Sequence, residues 1–185
     1  FVLVGLSLVQ TNNRRTDEEM SPAQWFLFAA TLWLPWVLAG SYLLIHFFNA
    51  RGVVANIVDW WFIHNFARVY LTFVGLGTLF HFLPAMTGRA LEGRGHAQFA
   101  FWVLLLFGSV GGVGPGAPVP AWLPALSTVT AVFYFFGVIA VWVSLKRTIN
   151  GVSAADSADS LAYNLMRLAA LVFISVSGLN LFFAF

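Results

Sequence analysis

The sequence predicts an all-α fold, a polytopic transmembrane helix bundle, and three observations lead to this prediction. Hydrophobic residues make up 60% of the 185 residues and charged residues only 9%, which is too few to cover a water-soluble domain. The apolar residues are gathered into runs of about 20, the length that crosses a hydrocarbon core of about 30 Å. No run alternates apolar and polar residues as the strands of a membrane barrel do, so the lipid-exposed backbone must satisfy its hydrogen bonds as helix.

Six hydrophobic segments make up what we interpret as a single membrane domain over residues 1–185. The first has nine residues; no small-residue cleavage site follows it, so we interpret it as the tail of a helix and not as a signal peptide. Ser21, Pro22 and Gln24 form a helix-start signature, with Ser as N-cap, Pro at the first helical position and Gln reaching back. The segments cover residues 1–9, 23–48, 56–84, 97–110, 122–145 and 161–185.

The later segments are separated by stretches that favour loops. The fourth segment ends in residues 111–120, which are rich in Gly and Pro, and no regular helix can continue through them. The fifth and sixth segments are each long enough to cross a bilayer. Residues 151–160 between them have the Gly, Ser and Asp composition of a turn or loop.

The distribution of positive charge predicts the orientation of the bundle. When successive loops are given alternate sides, one side holds seven Lys or Arg residues and the other holds Arg51 alone. The positive-inside rule makes the richer side cytoplasmic, so we expect an integral protein of the bacterial inner (cytoplasmic) membrane. His64 and residues 111–120 then lie toward the outer face, where they can meet. The cytoplasmic group is Arg14, Arg15, Arg89, Arg94, Lys146, Arg147 and Arg167.

The composition also excludes several kinds of function. There is no Cys, so disulfides, Cys-ligated zinc, iron–sulfur clusters and thiol chemistry are excluded. The net charge is +2 and there is no long basic run, so we predict no nucleic-acid partner. No phosphate-binding loop, dinucleotide fingerprint, zincin motif or Ser–His–Asp set is present.

His64 is the first candidate site residue. It lies in the third segment, and imidazole is a frequent ligand of transition metals and haem. A metal site needs two or three converging ligands. His46 is at a similar predicted depth, whereas His81 lies about 25 Å further along the helix and His96 lies in a basic loop. The alternative is a neutral histidine that is hydrogen-bonded inside the bundle.

Arg68 is the second candidate, one helical turn after His64. A guanidinium inside a membrane helix needs an anion, a group of carbonyls or a haem propionate as its partner. Asp59 lies nine residues earlier and is a distant candidate for that role. The alternatives are an arginine paired with another subunit and one whose side chain reaches water.

Four sequence motifs, in this order and spacing, carry a family resemblance. They are DWWFIHNF at residues 59–66, FHFLPAMTGRAL at 80–91, FAFWVLLLF at 99–107 and APVPAW at 117–122, preceded by SPAQWFLFAATLWLPW at 21–36. The chain resembles the catalytic subunit I of haem-copper oxidases, particularly the C-type (cbb-type) branch, over residues 21–147. This family is related to the nitric oxide reductases.

The resemblance implies the fold but not an intact copper site. It places His64 at the position of one ligand of the active-site copper. The other copper ligands of the family are an adjacent His pair, and residues 108–118 here contain no His. Gly108 is the nearest counterpart of the active-site Tyr, and Arg68 stands where the family usually has a small residue. The family's haem ligands lie in helices outside the matching part, so we predict no metal site and no cofactor within this chain.

The sequence therefore predicts a membrane subunit of a respiratory or electron-transfer complex, with a structural or accessory role and without a binuclear oxygen-reducing centre. The expected partners are other membrane subunits, cytochrome c-type subunits and the lipid bilayer. One alternative is part of an active terminal oxidase or nitric oxide reductase, an oxidoreductase that would hold haem and copper. The other is a transporter-like bundle with His64 and Arg68 in a polar path. We predict no catalytic residue; the candidate cofactor-binding positions are His64, at the family's copper-ligand position, and Arg68, as a charge that replaces the metal or as a propionate partner.

Overall fold

The computed structural model describes residues 2–14, 20–114, 116–150 and 160–183. These residues form helices joined by short connections and contain no strand, which confirms the all-α prediction. Two of the helices each include a π-helical stretch. In chain order the helices are α1 (Val2–Asn13), α2 (Pro22–Phe47), α3 (Val53–Thr87), α4 (Arg94–Gly108), α5 (Trp122–Ile149) and α6 (Ser160–Phe182).

Four of these helices are long and apolar enough to cross a membrane. Helices α2, α3, α5 and α6 have 26, 35, 28 and 23 residues, so the chain is an integral membrane protein. Helix α1 has 12 residues and α4 has 15 residues, both fewer than the roughly 20 that a membrane crossing needs. Each predicted segment overlaps a helix, but six membrane crossings are not established.

The ends of the helices agree with the sequence at one point and differ at two. At the start of α2, the Ser21 hydroxyl accepts from the Gln24 backbone N–H, and the Gln24 side chain accepts from the Ser21 N–H, which confirms the predicted capping box. Helix α3 begins at Val53, three residues before the predicted third segment, which starts at residue 56, and the exposed Asp59 lies inside this helix. His96 lies in the first turn of α4 and not in a loop.

Helix α3 contains a π-helical stretch that the sequence did not indicate. It covers Phe66–Leu71 and follows directly after His64 and Asn65. A π turn inserts an extra residue into the helical spiral, and such turns are frequent at functional sites. Because Arg68 lies on this stretch, its position relative to His64 departs from that in a regular helix.

Helices α4 and α5 pack closely through one face of α5. Residues on that face recur at alternating spacings of three and four, which is the helical period of a packed seam. The helices approach closely at Gly137, since a Cβ added there would lie 2.9 Å from the Leu104 side chain. Small and polar side chains allow this approach in a membrane helix. The face consists of Ser127, Thr130, Tyr134, Gly137, Val141, Ser144 and Thr148.

An aromatic cluster joins α2, α3 and α4. Phe26 is fully buried and its ring lies 4.9 Å from Phe73, 5.5 Å from Phe80 and 5.3 Å from Phe101, centroid to centroid. Two of these pairs meet edge to face, the arrangement that the ring quadrupoles favour. The cluster fixes α3, and with it the polar residues of its preceding turns, against both neighbouring helices.

Four basic residues of the predicted cytoplasmic side lie at one end of the bundle, namely Arg89, Arg94, Lys146 and Arg147. Arg94 donates to the Met20 carbonyl at 2.8 Å, and Arg89 donates to the Asn150 carbonyl at 2.8 Å. The Glu92 carbonyl accepts from Ser144 and Thr148, so the connection after α3 is held against the end of α5. Which membrane face this end occupies remains a prediction from the charge distribution.

Candidate functional site

Asn65 organises the opposite end of the bundle. It is fully buried, and its side-chain oxygen accepts from Trp33 Nε1 at 3.0 Å. Its amide nitrogen donates to the carbonyl of Trp61 at 2.9 Å and to that of Ser109 at 3.1 Å. One amide therefore connects α2, α3 and the residue that follows α4, and both of its N–H donors are used.

The His64 ring packs against the connection between α4 and α5. A Cβ added to Gly112 would lie 2.5 Å from His64 Cβ, and one added to Gly111 would lie 3.5 Å from His64 Nε2. Gly112 has φ +92°, a conformation that favours glycine. Two adjacent glycines thus let the backbone approach the imidazole closely. The structure brings His64 together with Gly111 and Gly112 at the start of the predicted loop, as the sequence indicated.

One ring nitrogen of His64 is enclosed without a partner. Nε2 is buried and has no hydrogen-bond partner among the described residues. Because the Arg68 cation lines the same cavity, we assign the proton of the neutral ring to Nδ1, which leaves the lone pair of Nε2 as an acceptor on the side of the cation. A buried acceptor without a donor costs about 1–3 kcal/mol.

Arg68 lies against Tyr134 of α5. Its guanidinium carbon is 5.0 Å from the centroid of the Tyr134 ring, within range of a cation–π interaction. The Tyr134 hydroxyl donates to the backbone carbonyl of Arg68 at 3.2 Å and lies 3.5 Å from the Thr72 hydroxyl. Asp59 is exposed and lies about 13 Å away along the helix, so it is too far to pair with Arg68.

A small cavity lies between α3 and α5 and includes both candidate residues in its wall. Its volume is about 20 Å³, enough for one water molecule. Polar groups reach it from both helices, two from α3 and three from α5. The lining residues are His64, Arg68, Phe107, Ser127, Thr130, Ala131 and Tyr134.

The other three histidines do not join His64. His46 is exposed and packs on Tyr42 of its own helix, at 4.6 Å between centroids. His81 is exposed and packs on Phe82 at 5.0 Å, and His96 lies at the start of α4, at the far end of that helix from Gly108. Across the described ranges, no three His, Asp or Glu side chains gather as a metal-binding group.

The residues around His64 do not fit the copper ion of the haem-copper oxidases. Cu(II) prefers imidazole ligands, and no second imidazole faces Nε2 in the cavity wall. The fixed positive charge of Arg68 lines the same cavity and would repel a metal cation. The hydroxyls of Ser127, Thr130 and Tyr134 that complete the wall are weak ligands for this metal.

Sequence reasoning missed the contribution of α5 to this site. Ser127, Thr130 and Tyr134 follow at spacings of three and four, which places them on one face of an otherwise apolar helix. That periodicity is visible in the sequence, and a polar face on a membrane helix indicates contact with other polar groups. The role of Trp33, by contrast, depends on the packing of α2 against α3 and gives no signal in the sequence.

No protein-family model matches the sequence, and no curated protein matches it. The resemblance to haem-copper oxidases therefore remains a prediction. The candidate site accordingly depends on its own geometry: one buried amide that connects three elements, an imidazole enclosed by two glycines, and an arginine over a tyrosine ring.

Proposed function

We propose that this chain is a membrane subunit of a respiratory or electron-transfer complex, with a fold like that of haem-copper oxidase subunit I. In this proposal a closed polar cluster stands in the place of the binuclear oxygen-reducing centre, and the subunit has a structural or accessory role. The order of the sequence motifs supports the relationship. The geometry around His64 supports the loss of the copper site.

The contact between Gly112 and His64 carries this proposal. The backbone of the α4–α5 connection lies so close to the imidazole that an added Cβ would be 2.5 Å from His64 Cβ. The remaining space, about 20 Å³, holds one water molecule. Residues 108–118, where the family has its other copper ligands, supply glycine backbone in place of imidazole.

In this proposal, one aromatic ring and one cation complete the replacement of the family's metal site. Gly108, the nearest counterpart of the family's active-site Tyr, faces Tyr134, whose Cε2 would lie 3.0 Å from an added Cβ. The phenol ring from α5 thus fills the space beside Gly108. Arg68 supplies a positive charge within this cluster, which takes the electrostatic place of a metal cation without any ligand set.

The cluster then serves to fix the bundle. Asn65 joins α2, α3 and Ser109, while Tyr134 joins α5 to the Arg68 carbonyl. Polar contacts of this kind hold membrane helices together where the lipid offers no hydrogen bonds. As part of the proposal, successive connections between the helices lie on alternate sides of a bacterial inner membrane, with Arg89, Arg94, Lys146 and Arg147 toward the cytoplasm. Other membrane subunits and cytochrome c-type subunits bind to the lipid-facing and outer surfaces.

The two alternatives make different demands on the same residues. An active oxidase or nitric oxide reductase needs a complete metal site, which the residues around His64 do not provide. A transporter needs a polar path through the bundle, and the polar cavity at Arg68 holds about one water molecule. An accessory role requires neither a complete metal site nor a polar path.

Isolation of the native complex through a tag on this chain tests the proposal. We expect haem-containing membrane subunits to be present in stoichiometric amount, with a haem spectrum and oxygen consumption that His64→Ala leaves unchanged. Isolation of the chain alone, with solute flux in liposomes that Arg68→Gln abolishes, would contradict the proposal and support the transporter. As a control, His81→Ala changes an exposed histidine of the same helix.

A further inference from the structure

The cavity between α3 and α5 is lined by two hydrogen-bond acceptors and two hydrogen-bond donors. On the acceptor side, His64 Nε2 has no partner among the described residues. The Thr130 hydroxyl donates to the Ser127 carbonyl at 3.0 Å, so its oxygen keeps lone pairs for the cavity. These two acceptors come from different helices and need donors between them.

The donors come from the same two helices. The Ser127 hydroxyl accepts from the Val113 backbone N–H at 3.2 Å, and its own hydrogen is given to no described acceptor. Arg68 lines the cavity, and its guanidinium carries five N–H donors. Its contact with the face of the Tyr134 ring leaves donors in the guanidinium plane.

The glycine at the edge of the cavity supplies the space. An atom at the Cβ position of Gly111 would lie 3.1 Å from Thr130 Oγ1 and 3.5 Å from His64 Nε2. Both acceptors therefore lie close to one point beside the Gly111 backbone, so a single small molecule next to this point can contact both. Because residue 111 is glycine, no side chain fills this space.

We propose that the cavity is a binding site for one structural water molecule that joins α3 to α5. The water donates to His64 Nε2 and Thr130 Oγ1, and it accepts from the Ser127 hydroxyl and an Arg68 N–H. This uses its full complement of four hydrogen bonds, the upper end of the range for buried waters. The site depends on these contacts alone and holds whichever complex the chain joins.

Halides and metal cations do not match the donors and acceptors that line the cavity. A halide can only accept, so it would face the lone pairs of His64 Nε2 and Thr130 Oγ1. A metal cation would meet the Arg68 charge and the Ser127 hydroxyl hydrogen. Only a molecule that both donates and accepts satisfies all four groups, and the volume of about 20 Å³ restricts it to the size of water.

A density map of the wild-type protein in its native complex, at a resolution that shows ordered water, tests the site directly. We expect a peak within about 3.2 Å of His64 Nε2 and Thr130 Oγ1, comparable in height to other buried waters. The absence of this peak where other buried waters are visible would overturn the proposal. An anomalous bromide signal in the cavity after growth in bromide, or an anomalous metal signal there, would also overturn it.

Variants give a second, independent test. Ser127→Ala and Thr130→Val should each lower the Tm of the complex by about 2–4 °C, through loss of a hydrogen bond to the water. Thr31→Val is the matched control, because the Thr31 hydroxyl also donates to a carbonyl of its own helix, Leu27, but does not line the cavity. Equal changes in the control and in Thr130→Val would contradict the proposal. If the variants fail to assemble, the wild-type map still decides.

Discussion

The guanidinium of Arg68 lies over the ring of Tyr134, with 5.0 Å between Cζ and the ring centroid, and the Tyr134 hydroxyl donates to the carbonyl of the same arginine. Side chain and backbone of one residue on α3 thus both contact a single tyrosine on α5. This double contact explains how a charged residue is accommodated within a membrane-spanning helix. It also makes the pair a direct test of how the polar cluster stabilises the bundle.

Replacement of Arg68 by Met should destabilise the complex by about 1–3 kcal/mol, because it removes the cation from the ring and a hydrogen-bond donor from the cavity. Thermal unfolding of the purified complex measures this loss. Arg167→Met is the matched control, since Arg167 lies 5.7 Å above the Tyr163 ring but does not line the polar cavity. Equal and small losses for both variants would indicate that Arg68 only extends to water or lipid.

A double-mutant cycle separates the Arg68–Tyr134 contact from the other effects. We expect Arg68→Met and Tyr134→Leu to show a coupling energy of about 0.5–2 kcal/mol, the range of a partly desolvated cation–π contact. The same cycle on Arg167 and Tyr163 provides a comparison outside the cluster. Additive losses at Arg68 and Tyr134 would show that their proximity contributes nothing to stability.

Asn65 should be the most sensitive polar residue of the bundle. Asn65→Leu keeps most of the volume but leaves Trp33 Nε1 and the carbonyls of Trp61 and Ser109 without this partner, so we expect a loss of about 2–4 kcal/mol. Asn180→Leu is the control, because Asn180 is exposed and donates only to Val176 of its own helix. It should change stability by less than about 0.5 kcal/mol.

Trp33→Phe extends this test to a single hydrogen bond. It removes only the Nε1 donor to Asn65 and should cost about 1 kcal/mol. A loss as small as that of Asn180→Leu, for either Asn65→Leu or Trp33→Phe, would show that the amide does not connect the helices as described.

The contact between Gly112 and His64 predicts that alanine at position 112 destabilises the protein more than alanine at position 114. Gly112→Ala adds a methyl group 2.5 Å from His64 Cβ at a φ of +92°, so we expect destabilisation of about 2–4 kcal/mol. Gly114→Ala is the control, since nothing lies within 4 Å of its added Cβ. Circular-dichroism melts of both variants should differ, and similar melts would contradict the close approach.

Much of the fold could be predicted because membrane helices follow from apolar length alone. The capping box at Ser21 and the loop after Gly108 also depend on local chemistry that the sequence displays. The π turn at Phe66–Leu71 could not be predicted from the sequence. No residue in that stretch requires an i→i+5 pattern.

The site residues on α3 could be predicted from the sequence. The contacts that these residues make with other parts of the bundle could not. His64 and Arg68 stand out because polar groups are costly in a membrane helix, and Tyr134 and Thr130 show the same signal more weakly. The enclosure of the imidazole depends on where two glycines fold back, and this distance is not encoded in any local pattern. The approach of Trp33 to Asn65 likewise depends on how α2 and α3 pack together.

Labelling of introduced cysteines tests the predicted orientation. The chain has no Cys, so Glu92→Cys and Ala121→Cys each create a unique target at an exposed position. From the charge distribution we expect residue 92 to react from the cytoplasmic side and residue 121 from the outer side. Reaction of both residues from the same side would refute the topology.

Copper analysis of the purified native complex tests the central claim most directly. The account predicts that no copper is associated with this chain, and that the copper content of the complex is the same in wild type and in His64→Ala. The reason is that Arg68, Gly111 and Gly112 surround the imidazole where further ligands would be needed. One copper ion per chain that is lost in His64→Ala would contradict the account and restore the active-oxidase alternative.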